Sequence, residues 1–312
     1  MYQVLSIKCL QKAKLLFFII LYTLYFIFNT GRAHAQELSL SINPPITVIT
    51  AIPPTNATSQ ITIQNNGYSQ VTLQIQLKPF KAKGENGELE YSNEALPILK
   101  NIQILDDDVP VENITLDPKQ DKNLSLKIDV PQDTTISDYY FSIIFVSTNS
   151  PPEGSNFSIN QLGIATNVLL SVGQKEIPKA VLEEFSTKIF TEEGPVPFTV
   201  RVKNEGSHLI QPKGEIIIKN MFGQNVGKLY LANVNILTDS IRAIPNEWKE
   251  SFLLGLYSAT LNISLSDQGP VFTRIIHFFA FPFQLLIIIV IIVIIAIVFR
   301  SRIKLYTNKD RI

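Results

Sequence analysis

The sequence predicts an all-β chain: two tandem immunoglobulin-like β-sandwiches followed by one transmembrane α-helix. Three observations carry this. From Ser39 to Leu265 apolar and polar residues alternate with a period of two, which sends successive side chains to opposite faces of a strand. Phe278 to Phe299 is an almost unbroken apolar run, long enough to cross a bilayer. One pattern is also written twice: ITIQNNGYSQVTLQIQLK, from Ile61 to Lys78, returns as VRVKNEGSHLIQPKGEIIIK, from Val200 to Lys219.

Residues 1–35 read as a signal peptide. Lys8, Lys12 and Lys14 precede an apolar stretch, Leu15 to Phe28, and Ala33-His34-Ala35 supplies a small-x-small cleavage site before Gln36. The alternative is an uncleaved anchor, but the stretch is shorter than the roughly 20 residues a span needs. Cys9 lies upstream of that stretch and is not placed as a lipoprotein cysteine. Once it is removed the exported part has no cysteine, so its domains must hold by core burial without disulfides.

Residues 37–174 form the first sandwich. Alternating runs such as Val71 to Leu77 and Leu124 to Val130 are separated by turn signals at Asn66-Gly67, Asn86-Gly87, Asp117-Pro118 and Pro151-Pro152. Gly163 to Val172 is its last strand, and Gln174 to Pro178 is the connector. An insertion, Lys81 to Asp108, enlarges this domain, and Asn93 to Lys100 suits one short helical turn. Residues 179–267 form the second sandwich, with another short turn expected at Val181 to Lys188. The repeated pattern sits near the start of each unit, with Asn65-Asn66-Gly67 and Asn204-Glu205-Gly206 at its turn. Leu116-Asp117-Pro118 is echoed by Ile244-Pro245, and Asp138-Tyr139-Tyr140 by Gly255-Leu256-Tyr257. Residues 275–299 are the transmembrane helix and residues 300–312 a basic tail. Arg300, Arg302, Lys304, Lys309 and Arg311 outweigh Asp310, which puts the tail in the cytoplasm and the sandwiches outside.

Composition and motifs narrow the function. Lys+Arg 27 against Asp+Glu 27 gives no basic face for nucleic acid. His208 is the one histidine between the signal peptide and the membrane-flanking His277, and it reads as a solvated turn residue with no nucleophile elbow around it. Asp106-Asp107-Asp108 offers oxygens to a cation but lacks the glycine and the spaced carboxylates of a calcium loop. That run and Glu192-Glu193 read as solvated turns. Asn56, Asn113, Asn123, Asn156 and Asn262 head Asn-x-Ser/Thr triplets. Phe80, Tyr91, Tyr139, Tyr140, Phe141 and Trp248 fall mostly on strands and read as core, with exposed tyrosines as the alternative binding surface. No residue is assigned as catalytic, cofactor-binding or metal-binding, and no cofactor is expected. Specific binding residues are not legible.

Several stretches resemble the WxL-interacting proteins of Gram-positive surfaces: Ile61 to Asn65 leading into a turn, GENGELEY at Gly84 to Tyr91, Leu116 to Pro131, and Gly255-Leu256-Tyr257. Pro53-Pro54-Thr55-Asn56 stands where that family usually has Pro-Gly, and the glycine expected after Val130-Pro131 is absent. The resemblance implies a peptidoglycan-linked first domain, a partner-binding second domain and one membrane anchor. Leu38 to Leu77 is also similar to the opening of periplasmic pilus chaperones, soluble proteins of two immunoglobulin-like domains that lend a strand to their subunits. The expectation is a non-enzymatic, single-pass cell-membrane protein that binds cell-wall polymer or a surface protein partner. The alternative is a membrane-tethered assembly chaperone, or an accessory subunit of a surface machine, acting by strand addition. A carboxylate-dependent cell-wall enzyme is the third reading.

Overall fold

The computed structural model describes residues 22–23, 39–148, 163–174, 178–265 and 271–309. The cleavage site, Asn156 and part of the connector lie outside them. The first domain opens with β1 (Leu40–Asn43), β2 (Ile46–Ala51), β3 (Thr55–Asn65) and β4 (Val71–Lys83). Then come β5 (Glu88–Tyr91), a single 3-10 turn (Pro97–Asn101), β6 (Ile102–Asp106), β7 (Val109–Pro110), β8 (Asn113–Leu116), β9 (Asp121–Val130), β10 (Ser137–Ser147) and β11 (Gly163–Val172). One sheet is ordered β1-β3-β9-β6-β7 and the other β2-β11-β10-β4-β5, with β8 also on β4. The chain thus changes sheets between β1 and β2. The two inner faces bury Ile61, Ile63, Leu73, Leu124, Leu126, Phe141 and Phe145.

The second domain repeats this plan. It comprises β12 (Ala180–Ser186), β13 (Phe190–Thr191), β14 (Val196–Asn204), β15 (Lys213–Asn220), β16 (Asn225–Tyr230), β17 (Ile241–Trp248), β18 (Gly255–Ser264) and β19 (Val271–Ala280). Its sheets run β12-β14-β17 and β13-β19-β18-β15-β16. As β2 lies parallel to β11, so β13 lies parallel to β19. The core gathers Phe198, Val200, Ile216, Ile244, Trp248 and Phe278.

The duplicated pattern has a shared cause. Asn65 and Asn204 are fully buried. Asn65 Oδ1 accepts the Gly67 amide at 2.9 Å, and its Nδ2 donates to the Ser69 carbonyl at 2.8 Å and to the Leu116 carbonyl at 3.3 Å. Asn204 Oδ1 accepts the Gly206 amide at 2.9 Å, and its Nδ2 donates to the His208 carbonyl at 2.9 Å and the Ile236 carbonyl at 3.1 Å. Each asparagine ties its own turn to a second loop. That loop carries a positive-φ residue, Lys119 in one domain and Asp239 in the other.

Four expectations change. The second domain does not stop at 267: β19 continues to Ala280, with Phe278 and Ala280 in its core. The helix therefore begins at Phe283, not 275. Val181 to Lys188 is no helical turn, because β12 pairs there with β14. Ile244-Pro245 is mid-strand, opposite Val200 and Thr199, and the counterpart of Leu116-Asp117-Pro118 is the Ile236–Ser240 loop.

Helix α1 (Phe283–Lys309) runs 27 residues. Its described side chains are apolar without a break from Leu286 to Phe299, short of the roughly 20 residues that cross a bilayer. Among the described residues no helix is long and apolar enough to cross a membrane.

Candidate functional site

The first feature is the junction between the sandwiches. The Asp138 side chain is fully buried at the start of β10. It accepts hydrogen bonds from the Tyr140 hydroxyl at 2.6 Å and the Leu209 amide at 2.5 Å, and its Oδ1 lies 2.7 Å from His208 Nδ1. The Thr238 amide donates in turn to the Tyr140 oxygen at 3.2 Å. Burial first, then the Asp138 charge, push the Tyr140 phenol well above its ordinary pKa, which keeps it a neutral donor. Phe80, Tyr140 and Leu169 of the first domain pack with Leu237 of the second. Phe80 and Tyr140 stack with centroids 6.2 Å apart.

The β4–β5 hairpin makes the second tie. The Ala243 amide on β17 donates to the Glu85 carbonyl at 2.9 Å. The Glu85 carboxylate pairs with Arg201, which stands opposite Ala243 on β14. Gly87 has φ +82, and a Cβ there would strike the Arg242 guanidinium. The segment GENGELEY, within the Lys81 to Asp108 insertion, is thus engaged within the chain. It fastens the first domain to an edge of the second.

These contacts correct the reading of His208. It is buried, not solvated. A buried Asp–His pair invites a catalytic reading, but Nε2 of His208 is buried with no hydrogen-bond partner. No hydroxyl is therefore poised on that nitrogen to be activated, as a nucleophilic triad requires. Among the described residues no group of three or more His, Cys, Asp or Glu gathers to hold a metal. Asp106 pairs with Lys122. Asp107 and Asp108 are the two positive-φ residues of a hairpin turn between β6 and β7, a conformation aspartate tolerates better than most side chains. Phe80, Tyr140, Phe141 and Trp248 are buried, Tyr139 is half-buried, and Tyr91 is exposed beside Lys78.

The second feature is β2. It pairs with β11 on one side and forms the end of its sheet on the other. The carbonyls of Pro45 and Ala51 accept from Asn167 and Gly173. By the two-residue period of a strand, the amides and carbonyls of Ile46, Val48 and Thr50 then face the open edge. Ile46 is 47%, Val48 43% and Ile52 58% exposed. Several other edges carry a charge or a proline: Glu88 and Glu90 on β5, Pro110 on β7, Glu183 and Glu184 on β12, Lys228 on β16. The edges β1 and β13 have neither but run only four and two residues. β2 reads ITVITA, with no charge. At Ile46 it reaches a cleft of about 210 Å³ between the domains, lined also by Leu89, Asn167, Asn235, Ser240 and Arg242. Arg242 Nε is buried there with no hydrogen-bond partner. Nothing in the alternation of ITVITA distinguishes an open edge from a central strand, so sequence reasoning could not single it out.

No family model and no curated protein matches the chain. Solved structures of similar layout include the class 5 fimbriae chaperone CfaA, at 10% identity over 76% of this chain and 98% of that one, with TM-score 0.40. The E. coli chaperone DraB matches at 13% identity over 76% and 98%, with TM-score 0.34. The Acinetobacter baumannii CsuC–CsuE chaperone–tip adhesion subunit pre-assembly complex matches at 13% identity over 66% and 89%, with TM-score 0.33. At these scores the likeness is one of layout and says nothing about activity.

Proposed function

We propose that this chain is a non-enzymatic, membrane-anchored surface protein that captures a partner polypeptide in extended form along β2. The observation that carries the reading is the uncharged, unprotected edge of that strand, with Ile46 and Val48 exposed. Such an edge is a template for an added strand: main-chain bonds supply affinity, and pockets for alternate side chains supply selectivity. The locked junction supports it, because a strand added beside Ile46 enters the interdomain cleft and meets both domains at once. A secreted wall-associated protein is the partner class that the resemblance to WxL-interacting proteins suggests.

The anchor is part of the proposal. α1 continues on both sides of its described apolar stretch. The sequence is apolar from Phe283 to Phe299 except at Gln284, a rise of about 25 Å at the low end of what spans. The basic residues after Phe299 place the C-terminus in the cytoplasm.

The test uses full-length protein in detergent, wild type and Val48→Lys, against surface proteins of its own cells and against purified wall polymer. A lysine there keeps the β11 ladder and puts a charge on the open edge. Protein capture should fall at least tenfold, with Tm unchanged. The amides of Ile46, Val48 and Thr50 should also gain hydrogen-exchange protection when wild type holds its partner. Undiminished protein capture by Val48→Lys refutes strand addition. Polymer binding that the variant leaves intact would favour the wall-polymer reading instead.

A further inference from the structure

Below the core of the second domain lies an apolar collar without a partner among the described residues. Ile189 is 82% exposed, and Phe190, Leu256 and Phe279 are each more than two-fifths exposed. They are neighbours: Phe190 and Leu256 both stand opposite Phe279, on β13 and β18, and the Ile189 carbonyl accepts the Phe279 amide at 2.8 Å. Only Phe281 and Pro282 separate β19 from α1. A chain of rings bridges that gap: Phe279–Phe281 at 6.4 Å, Phe281–Phe283 at 6.1 Å, and Phe190–Phe283 at 5.7 Å between centroids. Phe190, a sandwich residue, thus touches the first residue of the helix.

We infer that this collar is a lipid contact: the second domain sits directly on the outer leaflet, with Ile189, Phe190, Leu256 and Phe279 in the headgroup–acyl boundary. The inference rests on the anchored reading of α1. Given that reading, lengths argue for it. The apolar helix from Phe283 to Phe299 rises about 25 Å, several Å less than a hydrocarbon core of about 30 Å. Arg300 and Arg302 can reach out from the inner end, but the outer end has no such residue. A short span is relieved by thinning the bilayer or by drawing flanking apolar surface into it. The collar is that surface, joined to the helix by ring contacts. Interfacial apolar faces sink about 5–10 Å, which covers the deficit. The nearby charges, Lys188, Glu192, Glu193, Lys249 and Glu250, are mixed and net acidic. The contact is therefore apolar and favours a neutral leaflet over an anionic one.

Full-length protein with Cys9→Ser, in phosphatidylcholine vesicles, carries one environment-sensitive fluorophore at Leu256→Cys, Ile291→Cys or Tyr68→Cys. Nitroxide lipids, spin-labelled shallow or deep in the acyl chain, serve as quenchers. The shallow nitroxide should quench the Leu256 label several-fold more than the Tyr68 label on the first domain, without change in high salt. The deep one should quench the Ile291 label most. If Ile291 is quenched and Leu256 matches Tyr68, the collar is refuted and the anchor stands. If Ile291 is not quenched, the anchored reading falls and takes the collar with it.

Discussion

Asn204→Ala removes the turn tie of the second domain, and its cost can be worked from the structure. Three hydrogen bonds disappear: those to the Gly206 amide and to the carbonyls of His208 and Ile236. Each is worth about 1 kcal/mol net, and stranding buried partners adds to it, so the loss is about 3–5 kcal/mol. That is a large share of the roughly 5–15 kcal/mol that holds a domain. Trp248, the single tryptophan, reports on this domain from within its core, edge-on to Tyr257 at 5.6 Å and Phe278 at 6.5 Å. Urea titration of the full-length protein, followed by tryptophan fluorescence, should show a midpoint lowered by about 1–2 M with an unchanged slope. Asn220→Ala is the matched control. Asn220 also makes three side-chain bonds, to Phe222 and twice to Gln224, but at the solvent-facing β15–β16 turn. Its loss should cost under about 1 kcal/mol, because water satisfies what is left behind. If Asn204→Ala costs no more than Asn220→Ala, the argument that burial makes this asparagine indispensable is wrong.

Other outcomes follow from the same geometry. The Tyr140 phenol is raised in the fold and ordinary when unfolded, near pH 10. The folded state then holds its proton more tightly, so stability is intact below about pH 10 and falls as pH climbs above it; Tyr140→Phe should flatten that alkaline limb, and an unchanged slope in pH-dependent melting would show the phenol is not its source. Replacing Asp107-Asp108 with Asn-Gly keeps both positive-φ positions in residues that prefer them, and should raise stability by up to about 1 kcal/mol, while added calcium shifts the melting of neither form. Phe190→Ser with Phe279→Ser should weaken lipid quenching of the Leu256 label yet leave Trp248 emission unchanged, since both rings are partly exposed outside the core.

Much of the first domain is legible in the sequence because its strands are bounded by polar turns. Gly163–Val172 stands out between Pro151-Pro152 with its following residues and Gly173. The final strand of the second domain is different. β19 runs through Phe278, Phe279 and Ala280, and two residues later the helix begins. With no charge and no glycine between them, strand and helix merge into one hydropathy signal. Their boundary is set by pairing with β18, which a local pattern does not encode. Val181 to Lys188 misleads for a related reason. Leu182 and Phe185 flank a register shift that breaks the period of two.

The candidate site was legible in its parts but not in its assembly. In the sequence Asp138 reads only as part of a tyrosine-led strand, and His208 as a turn residue. They are 70 positions apart in the chain and 2.7 Å apart in the fold. GENGELEY falls in the Lys81 to Asp108 insertion, and nothing in its own residues tells where it docks. Its use is internal, on the edge of β17.

The sequence by itself determined the strand-rich class, the duplication and the apolar run near the C-terminus. Each depends on residues close together in the chain, whose alternation or apolarity is a local property. Tertiary structure decided where the second domain ends, which loop locks the two sandwiches together, and which strand is left open on one side. Those depend on pairings between distant segments: whether ITVITA is an edge or a centre is settled not by its own residues but by what lies beside it.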